Sequence, residues 1–179
     1  MRAAVIYESM YGNTHLIADA IADGLRAYGD VTVVAVGEAG AEVVDGADML
    51  VVGGPTHAHG MSRPSTRKGA VEAADKPQSP LVVEPDAAGE GLREWFERQG
   101  TLRHKAAAFD TRFDFPVSIT GHASKGISKR LRQHGATLVA EPHSFLVTKQ
   151  DELEVHEVDR AREWGAELGR TMVVEHAST

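Results

Sequence analysis

The sequence predicts an α/β fold built on a doubly wound, five-stranded parallel sheet. Two observations lead to this prediction. Short apolar segments of strand length alternate along the chain with segments whose apolar residues recur at helical spacing. In addition, the segment 49–52 is apolar at every position, which is typical of a parallel strand that is buried on both faces.

The first half of the chain contains three predicted strands. The apolar runs 3–7 and 49–52 and the β-branched run 31–36 have the composition of buried strands. We expect a helix between the strands at 3–7 and 31–36, because one face of the intervening segment is apolar and Gly29 ends that segment. The residues on that face are Leu16, Ile17, Ala20, Ile21, Leu25 and Tyr28.

Residues 63–91 interrupt this alternation. The segment contains four prolines and few large apolar residues, so we expect a loop-rich surface excursion with one helical turn near 70–74. The sequence leaves open whether this excursion closes over a ligand as a lid. We expect one domain to span residues 1–179, because a chain of 179 residues is short for two ordinary domains.

The alternation returns in the second half of the chain. The expected elements are a helix around Trp95 and Phe96, a strand at 106–110, a helix that Ser124 caps and Gly135 ends, a strand near 137–147, and a helix that begins after Asp151. Trp95, Phe96 and Trp164 lie at the spacing of packing stripes, so we expect them in the core rather than against a cofactor.

The composition limits the chemistry that is available to the chain. It has no cysteine, which excludes disulfides, thiolate metal sites, iron–sulfur clusters and cysteine nucleophiles, so redox chemistry needs a bound cofactor. The formal net charge of −7 argues against nucleic acid as the main partner, because polyanion binding depends on a basic surface. No apolar run has the length of a membrane span or a signal peptide, so we expect a cytoplasmic protein without a membrane partner.

Polar loops follow three of the predicted strands, at 8–14, 54–63 and 111–125. In doubly wound sheets the ligand crevice lies beyond the carboxyl ends of the strands, so these loops are expected to converge. The first loop places hydroxyls, a side-chain amide and free backbone N–H groups at the start of a helix, where a phosphate gains charge-assisted hydrogen bonds and the favourable end of the helix dipole. Its residues are Ser9, Met10, Tyr11, Gly12, Asn13 and Thr14. The loop has no lysine and lacks both glycine-rich nucleotide motifs, so a monophosphate fits better than a triphosphate.

The string Ser9-x-Tyr11-Gly12-Asn13-Thr14, directly after an amino-terminal strand, resembles the phosphate loop of the flavodoxin family. Ser9-Met10-Tyr11-Gly12 is also similar to the related flavodoxin-like NAD(P)H:quinone oxidoreductases. The resemblance, to which Gly53-Gly54-Pro55-Thr56 adds, implies a flavodoxin-like sheet with strand order 2-1-3-4-5 and non-covalently bound FMN.

Three functions stay open under this resemblance. In the first, the flavin carries electrons to or from a redox partner protein. In the second, the chain is an enzyme that takes electrons from NAD(P)H and reduces a small-molecule acceptor such as a quinone. In the third, the chain is a flavin-free interaction module, because one fold hosts many functions.

The resemblance further implies that the second and third loops hold the flavin ring. The candidates are Pro55, Thr56, His57, His59 and Gly60 in the second loop, and Asp110, Thr111, Arg112 and Phe113 in the third. Flavodoxins commonly stack an aromatic side chain of the second loop on the ring, and in this chain only His57 or His59 stands there. Arg112 is a candidate to balance negative charge on reduced flavin or to position an anionic substrate.

Each of these loops also has a simpler interpretation. The first is alternatively a plain helix cap with nothing bound. His57 and His59 are alternatively metal ligands, although such a site needs further ligands and we predict none. The run from Asp110 to Arg112 is alternatively an Asp-started turn closed by a surface ion pair.

Overall fold

The computed structural model of the chain describes residues 1–177, with side chains for residues 1–173, so the last two residues of the predicted domain lie outside the described part. A mixed sheet runs through the centre of the molecule. Its strands are β1 (Arg2–Tyr7), β2 (Asp30–Ala35), β3 (Met49–His57), β4 (Gly60–Met61), β5 (Lys105–Phe113), β6 (Thr137–Leu138) and β7 (His143–Val147).

The order of the parallel strands confirms the predicted topology. From one edge, β2, β1, β3 and β5 lie side by side and pair in parallel, and both β6 and β7 pair in parallel with β5. The fifth strand position is therefore shared by two short strands, whose connection includes Pro142, a residue that cannot donate a hydrogen bond to a ladder. With the antiparallel β4 left out and β6 and β7 counted as one, the order of the parallel strands is the predicted 2-1-3-4-5 and the sheet is doubly wound.

The short strand β4 was not predicted. It pairs antiparallel with the end of β3, which continues through Gly53-Gly54-Pro55 as far as His57, beyond the predicted end at Val52. This pairing turns the second polar loop into a hairpin whose tip is Ala58 and His59. The hairpin gives that loop a regular backbone conformation, which the hydrophobic periodicity of the sequence does not predict.

Helices cover both faces of the sheet. They are α1 (Asn13–Leu25), α2 (Ala41–Asp45), α3 (Pro64–Ala74), α4 (Leu92–Arg98), α5 (Val117–Thr120), α6 (Ala123–Gln133) and α7 (Glu157–Ala177), with 3-10 turns at Arg26–Tyr28 and Val36–Glu38. In the described part of the chain, no helix is both long and apolar enough to cross a membrane.

Successive side chains of the strands pack into two separate hydrophobic cores, one on each face of the sheet. In β1, Val5 belongs to the core under α1 and α7, whereas Ile6 belongs to the core under α4 and α6, because successive side chains of a strand point to opposite faces. Trp164 fills the first core and Trp95 and Phe96 fill the second. All three are buried, which confirms that they are core residues.

The backbones of α1 and α7 come into direct contact. A Cβ atom built on Gly165 would overlap the carbonyl oxygen of Ile21, and one built on Gly24 would overlap the carbonyl oxygen of Arg162. Near the end of α1, Gly169 lies against the ring of Tyr28 in the same way. The two helices therefore pack closely because α7 and α1 have no side chain at the points where they meet.

Two local predictions differ from the structure. Leu16 is 56% exposed, because it lies about 100° around α1 from Ile17 and the contact face follows Ile17, Ile21 and Leu25 instead. The excursion contains a whole helix, α3, which starts at Pro64, a favoured first residue. Thr66 caps α3 by accepting a hydrogen bond from the Arg63 amide at 2.8 Å.

Two helix starts also differ. Ser124 lies inside α6 and does not cap it; its amide donates to the buried Asp110 carboxylate at 2.7 Å, and a carboxylate is a stronger acceptor for this purpose than a hydroxyl. The last helix begins at Glu157 rather than directly after Asp151. The intervening residues turn back on β7, where the Glu154 amide donates to the Leu146 carbonyl at 2.9 Å.

Candidate functional site

The first polar loop joins β1 to α1 through a tight left-handed turn. Gly12 precedes the helix with a φ of 93°, a conformation in which a residue without Cβ is least strained. Its amide donates to the Ser9 hydroxyl at 3.1 Å, which closes the turn. The first turn of α1 therefore opens toward the carboxyl edge of the sheet with a fixed backbone.

The start of α1 presents unsatisfied donors. Across residues 1–177, the amides of Tyr11, Asn13 and Thr14 donate no hydrogen bond to protein. The Asn13 side-chain nitrogen donates to the Asp151 carbonyl at 2.9 Å, and the Thr14 hydroxyl lies 2.8 Å from that of Thr111. No side chain caps this helix, and free amides at the positive end of a helix are suited to bind an anion.

The excursion packs behind this loop. The Tyr11 hydroxyl donates to the Ala70 carbonyl of α3 at 2.9 Å, and the Glu84 amide donates to the Met10 carbonyl at 2.8 Å. Met10 is buried together with Ala70 and Ala87. In this structure the segment 63–91 supports the loop from outside and contributes no residue to the wall of the adjacent cavity.

The second loop is the hairpin between β3 and β4. Its tip is strained, because Ala58 and His59 have φ values of 45° and 72°, which L residues other than glycine rarely adopt. At its base, the Thr56 hydroxyl accepts a hydrogen bond from the Ala123 amide at 2.9 Å. Burial, followed by the charge of Arg67, lowers the pKa of His57, so its imidazole is neutral near pH 7.

The third segment follows β5 and is held by Arg112. The guanidinium donates to the carbonyls of Phe113 at 3.2 Å and Phe115 at 2.9 Å. It therefore shapes the backbone of its own segment. Phe113, Phe115 and Ile119 are partly exposed along this segment.

Asp110 does not belong to the wall of the cavity. It is fully buried in β5, and its carboxylate accepts the Ser124 amide. The alternative of an Asp-started turn with an ion pair is also wrong, because the run from Asp110 to Arg112 is regular strand and its carboxylate and guanidinium have different partners.

The three loops enclose one cavity of about 460 Å³. The predicted residues that line it are Ser9, Met10, Tyr11, Asn13, Thr14, Pro55, Thr56, His57, His59, Thr111, Arg112 and Phe113. Gly12, Gly60 and Asp110 do not line it. Gly12 and Gly60 instead shape the turns on either side of the lining residues.

Phe115, a second aromatic that the third polar loop offers, also lines the cavity. Sequence reasoning missed five lining residues: Ala58, Ile119, Thr120, Val147 and Asp151. Val147 ends the last parallel strand and Asp151 follows it, so the rule that ligands lie at carboxyl ends should have included a fourth loop there. Burial raises the pKa of Asp151 from 3.8 to about 6, partly offset by Asn13. This wall of the cavity thus contains a carboxyl group that titrates near neutral pH.

The two hairpin histidines have few neighbours with metal-binding chemistry. Within the described residues, no group of three or more His, Cys, Asp or Glu side chains is arranged to hold a metal ion. His57 lies in the cavity wall and His59 at the exposed tip of the hairpin.

Comparison with solved structures gives the same fold. A flavodoxin from the domain Archaea superposes with a TM-score of 0.64 at 19% identity, covering 95% of this chain and 97% of that one. Oxidised flavodoxin 1 from Bacillus cereus gives 0.63 at 20% identity, with 93% and 96% covered. A flavodoxin, WrbA-like protein from Agrobacterium tumefaciens gives 0.58 at 22% identity, with 94% and 95% covered. At these identities the matches show the fold alone.

The comparison with families is more specific. No curated protein sequence matches the chain. The family model of flavodoxin, however, matches residues 5–105, a range that includes the second half of β1, the loop at the start of α1, and the hairpin after β3. The match thus covers more than half of the chain and two of the three loops around the cavity. The chain belongs to the flavodoxin family.

Proposed function

We propose that the chain binds FMN non-covalently in the cavity and transfers electrons through it to or from a redox partner protein. The observation that carries the proposal is the group of free amides at the start of α1, which opens into a cavity of about 460 Å³. A cavity of this size is in the usual range for cofactor sites. When bound, flavin supplies a reversible acceptor for electrons, whereas the protein supplies position and electrostatics.

The residues present fit the phosphate of FMN. The amides of Tyr11, Asn13 and Thr14 and the hydroxyls of Ser9 and Thr14 are neutral donors around a turn that Gly12 makes possible. A Cβ on Gly12 would lie 3.3 Å from the Glu84 carboxylate, so this close approach also favours glycine. The helix dipole and the amides take the place of a cation, which agrees with a singly phosphorylated cofactor.

The ring end of the cavity has a different character. His57 presents a half-buried, uncharged imidazole to the cavity, and Phe113 and Phe115 contribute apolar surface to its wall. These side chains would contact a flat flavin ring, and the hairpin backbone would face its polar edge. Positions 57–60 contain no Trp, Tyr or Phe, so His57 and His59 are the only side-chain rings that this hairpin offers to the flavin.

The experiment compares FMN with riboflavin, which lacks the phosphate. Dissociation constants are measured by flavin fluorescence for the parent, for Thr14→Ala and for the exposed control Thr137→Ala. Loss of a hydrogen bond to a charged phosphate costs about 1.5–3 kcal/mol, so Thr14→Ala should weaken FMN binding by roughly 10- to 100-fold and leave riboflavin binding nearly unchanged. Thr14→Ser should restore FMN affinity. Equal losses for both flavins, or no loss, would remove the phosphate assignment.

A second candidate is an FMN-dependent NAD(P)H:quinone oxidoreductase. It is favoured by the string Ser9-Met10-Tyr11-Gly12 and by the open face that the small Ala58 leaves beside the cavity. Anaerobic mixing of the FMN-loaded protein with NADPH separates the two candidates. Rapid bleaching of the flavin absorbance, followed by recovery with a benzoquinone, supports the enzyme, whereas an unchanged spectrum supports the carrier. A protein that stays colourless in excess FMN would instead indicate a flavin-free interaction module.

A further inference from the structure

One helix of this acidic chain carries only positive charge. The net charge is −7, yet residues 115–140 contain four Lys or Arg residues and no Asp or Glu. The four lie on α6, and two arginines from neighbouring segments join them. We call these six residues the basic face: Arg63, Arg93, Lys125, Lys129, Arg130 and Arg132.

The packing of α6 turns these charges toward solvent. Ile127 and Leu131 are buried in the core, whereas Lys125, Lys129 and Arg132 follow one another at i, i+4 and i+7 on the exposed side. Charges at this spacing form a continuous row along the helix.

Arg93 and Arg63 extend this row across the neighbouring segment. The Arg93 guanidinium donates to the Met61 carbonyl at 3.1 Å and to the Ser62 carbonyl at 2.8 Å, while the Met61 side chain lies against Gly126 of α6. Burial, followed by the charges of Arg63 and Arg130, lowers the pKa of Arg93, which agrees with the proximity of the three.

The positive charges of the basic face have no carboxylate partners. Within residues 1–173, none of its six residues forms an ion pair. By contrast, seven cations elsewhere in the described chain do form ion pairs: Arg2, Arg26, Arg67, Lys68, Arg98, Arg160 and Arg162. The nearby Glu94 is engaged by Arg67, and Glu97 is an exposed acid on α4. The basic face thus has an excess of unneutralised positive charge.

The basic face adjoins the hairpin that forms one wall of the cavity. The first amide of α6, from Ala123, donates to Thr56 at the base of the hairpin, and Gly121 pairs with His59 at its tip. Arg93 holds the carbonyls of β4 on the other side of the same hairpin. A macromolecule bound on α6 would therefore lie beside the hairpin wall of the cavity.

We propose that the basic face is the docking surface for an acidic redox protein, which gives one electron to the cofactor in the cavity. This inference rests on the proposed function. The partner, an acidic one-electron donor, loses one electron and the bound cofactor gains it. Charge complementarity favours an acidic protein surface, because a local positive patch steers a negative partner to one orientation. A nucleic acid is disfavoured, because its uniform charge along the strand would also meet the acidic remainder of this chain.

The test uses a reduced plant-type [2Fe–2S] ferredoxin, an acidic one-electron donor, mixed anaerobically with the FMN-loaded protein in a stopped-flow instrument. The second-order rate constant should fall as ionic strength rises. Lys129→Glu with Arg130→Glu should lower it by about tenfold or more at low ionic strength and abolish its fall with salt. Lys125→Gln with Lys129→Gln should give a smaller loss. Lys68→Glu with Arg162→Glu makes the same change in net charge on exposed residues elsewhere, and should change the rate less than about twofold.

The outcomes separate docking from cofactor binding. Equal rates for the basic-face and control variants, or a parent rate that rises with salt, would overturn the proposal. If the protein fails to take up FMN, the proposed function fails. Docking is then measured by calorimetry as the binding of oxidised ferredoxin to the flavin-free chain, with the same variants. Binding of a labelled single-stranded DNA 20-mer that is stronger than ferredoxin binding and is lost in the same variants would assign the face to nucleic acid instead.

Discussion

The contact between α1 and α7 provides a sharp test of the packing. The change is Gly165→Ala, which adds one methyl group inside α7. That Cβ would lie 2.1 Å from the carbonyl oxygen of Ile21, and the obstacle is backbone that no side-chain rotation can move. An unstrained carbon–oxygen contact is about 3.3 Å, so the two helices must separate by roughly 1.2 Å.

The free-energy cost of separating the helices depends on the apolar side chains that are packed between them. Ile17, Ile21 and Leu25 face Trp164 and Leu168 in one core, and a gap of about 1 Å forfeits roughly half of the attraction between atoms in contact. Such overpacking costs about 3 kcal/mol, whereas replacing glycine by alanine within a helix gains about 1 kcal/mol. We expect a net loss of about 2 kcal/mol, which lowers the Tm by about 4–8 °C in a domain of this size.

The matched control is Gly69→Ala in α3, where a Cβ meets nothing within 4 Å. The same substitution should there stabilise the protein by about 0.5–1 kcal/mol, because only the helix propensity changes. Urea denaturation and thermal melts followed by circular dichroism measure both variants. A Gly165→Ala protein as stable as the parent, or a shared direction for both variants, would refute the close approach of α1 and α7.

Three further outcomes are expected from residues around the cavity. The folded-state pKa of Asp151 is raised from 3.8 to about 6, so its protonated form contributes stability that is present below pH 3.8 and lost as pH rises through 6. In urea denaturation, Asp151→Asn should therefore stabilise the protein by about 1–2 kcal/mol at pH 8 and by much less at pH 4. A stability difference between variant and parent that does not depend on pH would contradict the burial of this carboxyl. Glu8→Ala should destabilise by about 2–4 kcal/mol in the same assay, because the Leu92 amide, the Ser62 hydroxyl and the buried Arg67 lose their acceptor or counter-charge; a neutral effect would show that water replaces the carboxylate. Gly121→Ala should cost about 1–3 kcal/mol in thermal melts, because φ is +72° there and a Cβ would meet the backbone of His59; an unchanged Tm would contradict this contact.

The architecture was predictable where apolar residues recur along the chain with the period of a strand or a helix. Strands β1 and β3 are apolar at successive positions because both of their faces are buried, and α1 shows the single apolar stripe of a helix covered on one side. The carboxyl-end rule then located three of the loops around the cavity from strand order alone. The divided fifth strand and the hairpin strand β4 were not predictable in this way, because segments of two to five residues have too few positions to show a period.

The candidate site was predictable in its loops and less so in its individual side chains. The sequence placed Asp110 at the end of a strand, but the direction of its side chain depends on the register with α6, where it caps the helix. Arg112 was expected to face a ligand, but its guanidinium binds carbonyls whose positions depend on how the segment after β5 folds. Asp151 reaches the wall of the cavity because the chain makes a left-handed turn after β7, and no local sequence motif predicts that turn.

The stretch from Thr56 to Ala70 mechanically couples the two ends of the cavity. It starts at the hairpin, continues through Ser62, which binds Glu8 directly after β1, and ends on α3, where the Ala70 carbonyl holds the Tyr11 hydroxyl. Lengthening or shortening the hairpin would therefore be felt at the loop that begins α1, at the opposite end of the cavity. Designers who wish to retune one end of this cleft should expect to re-optimise the other, and paired libraries at 57–60 and 9–12 are a sounder starting point than either alone.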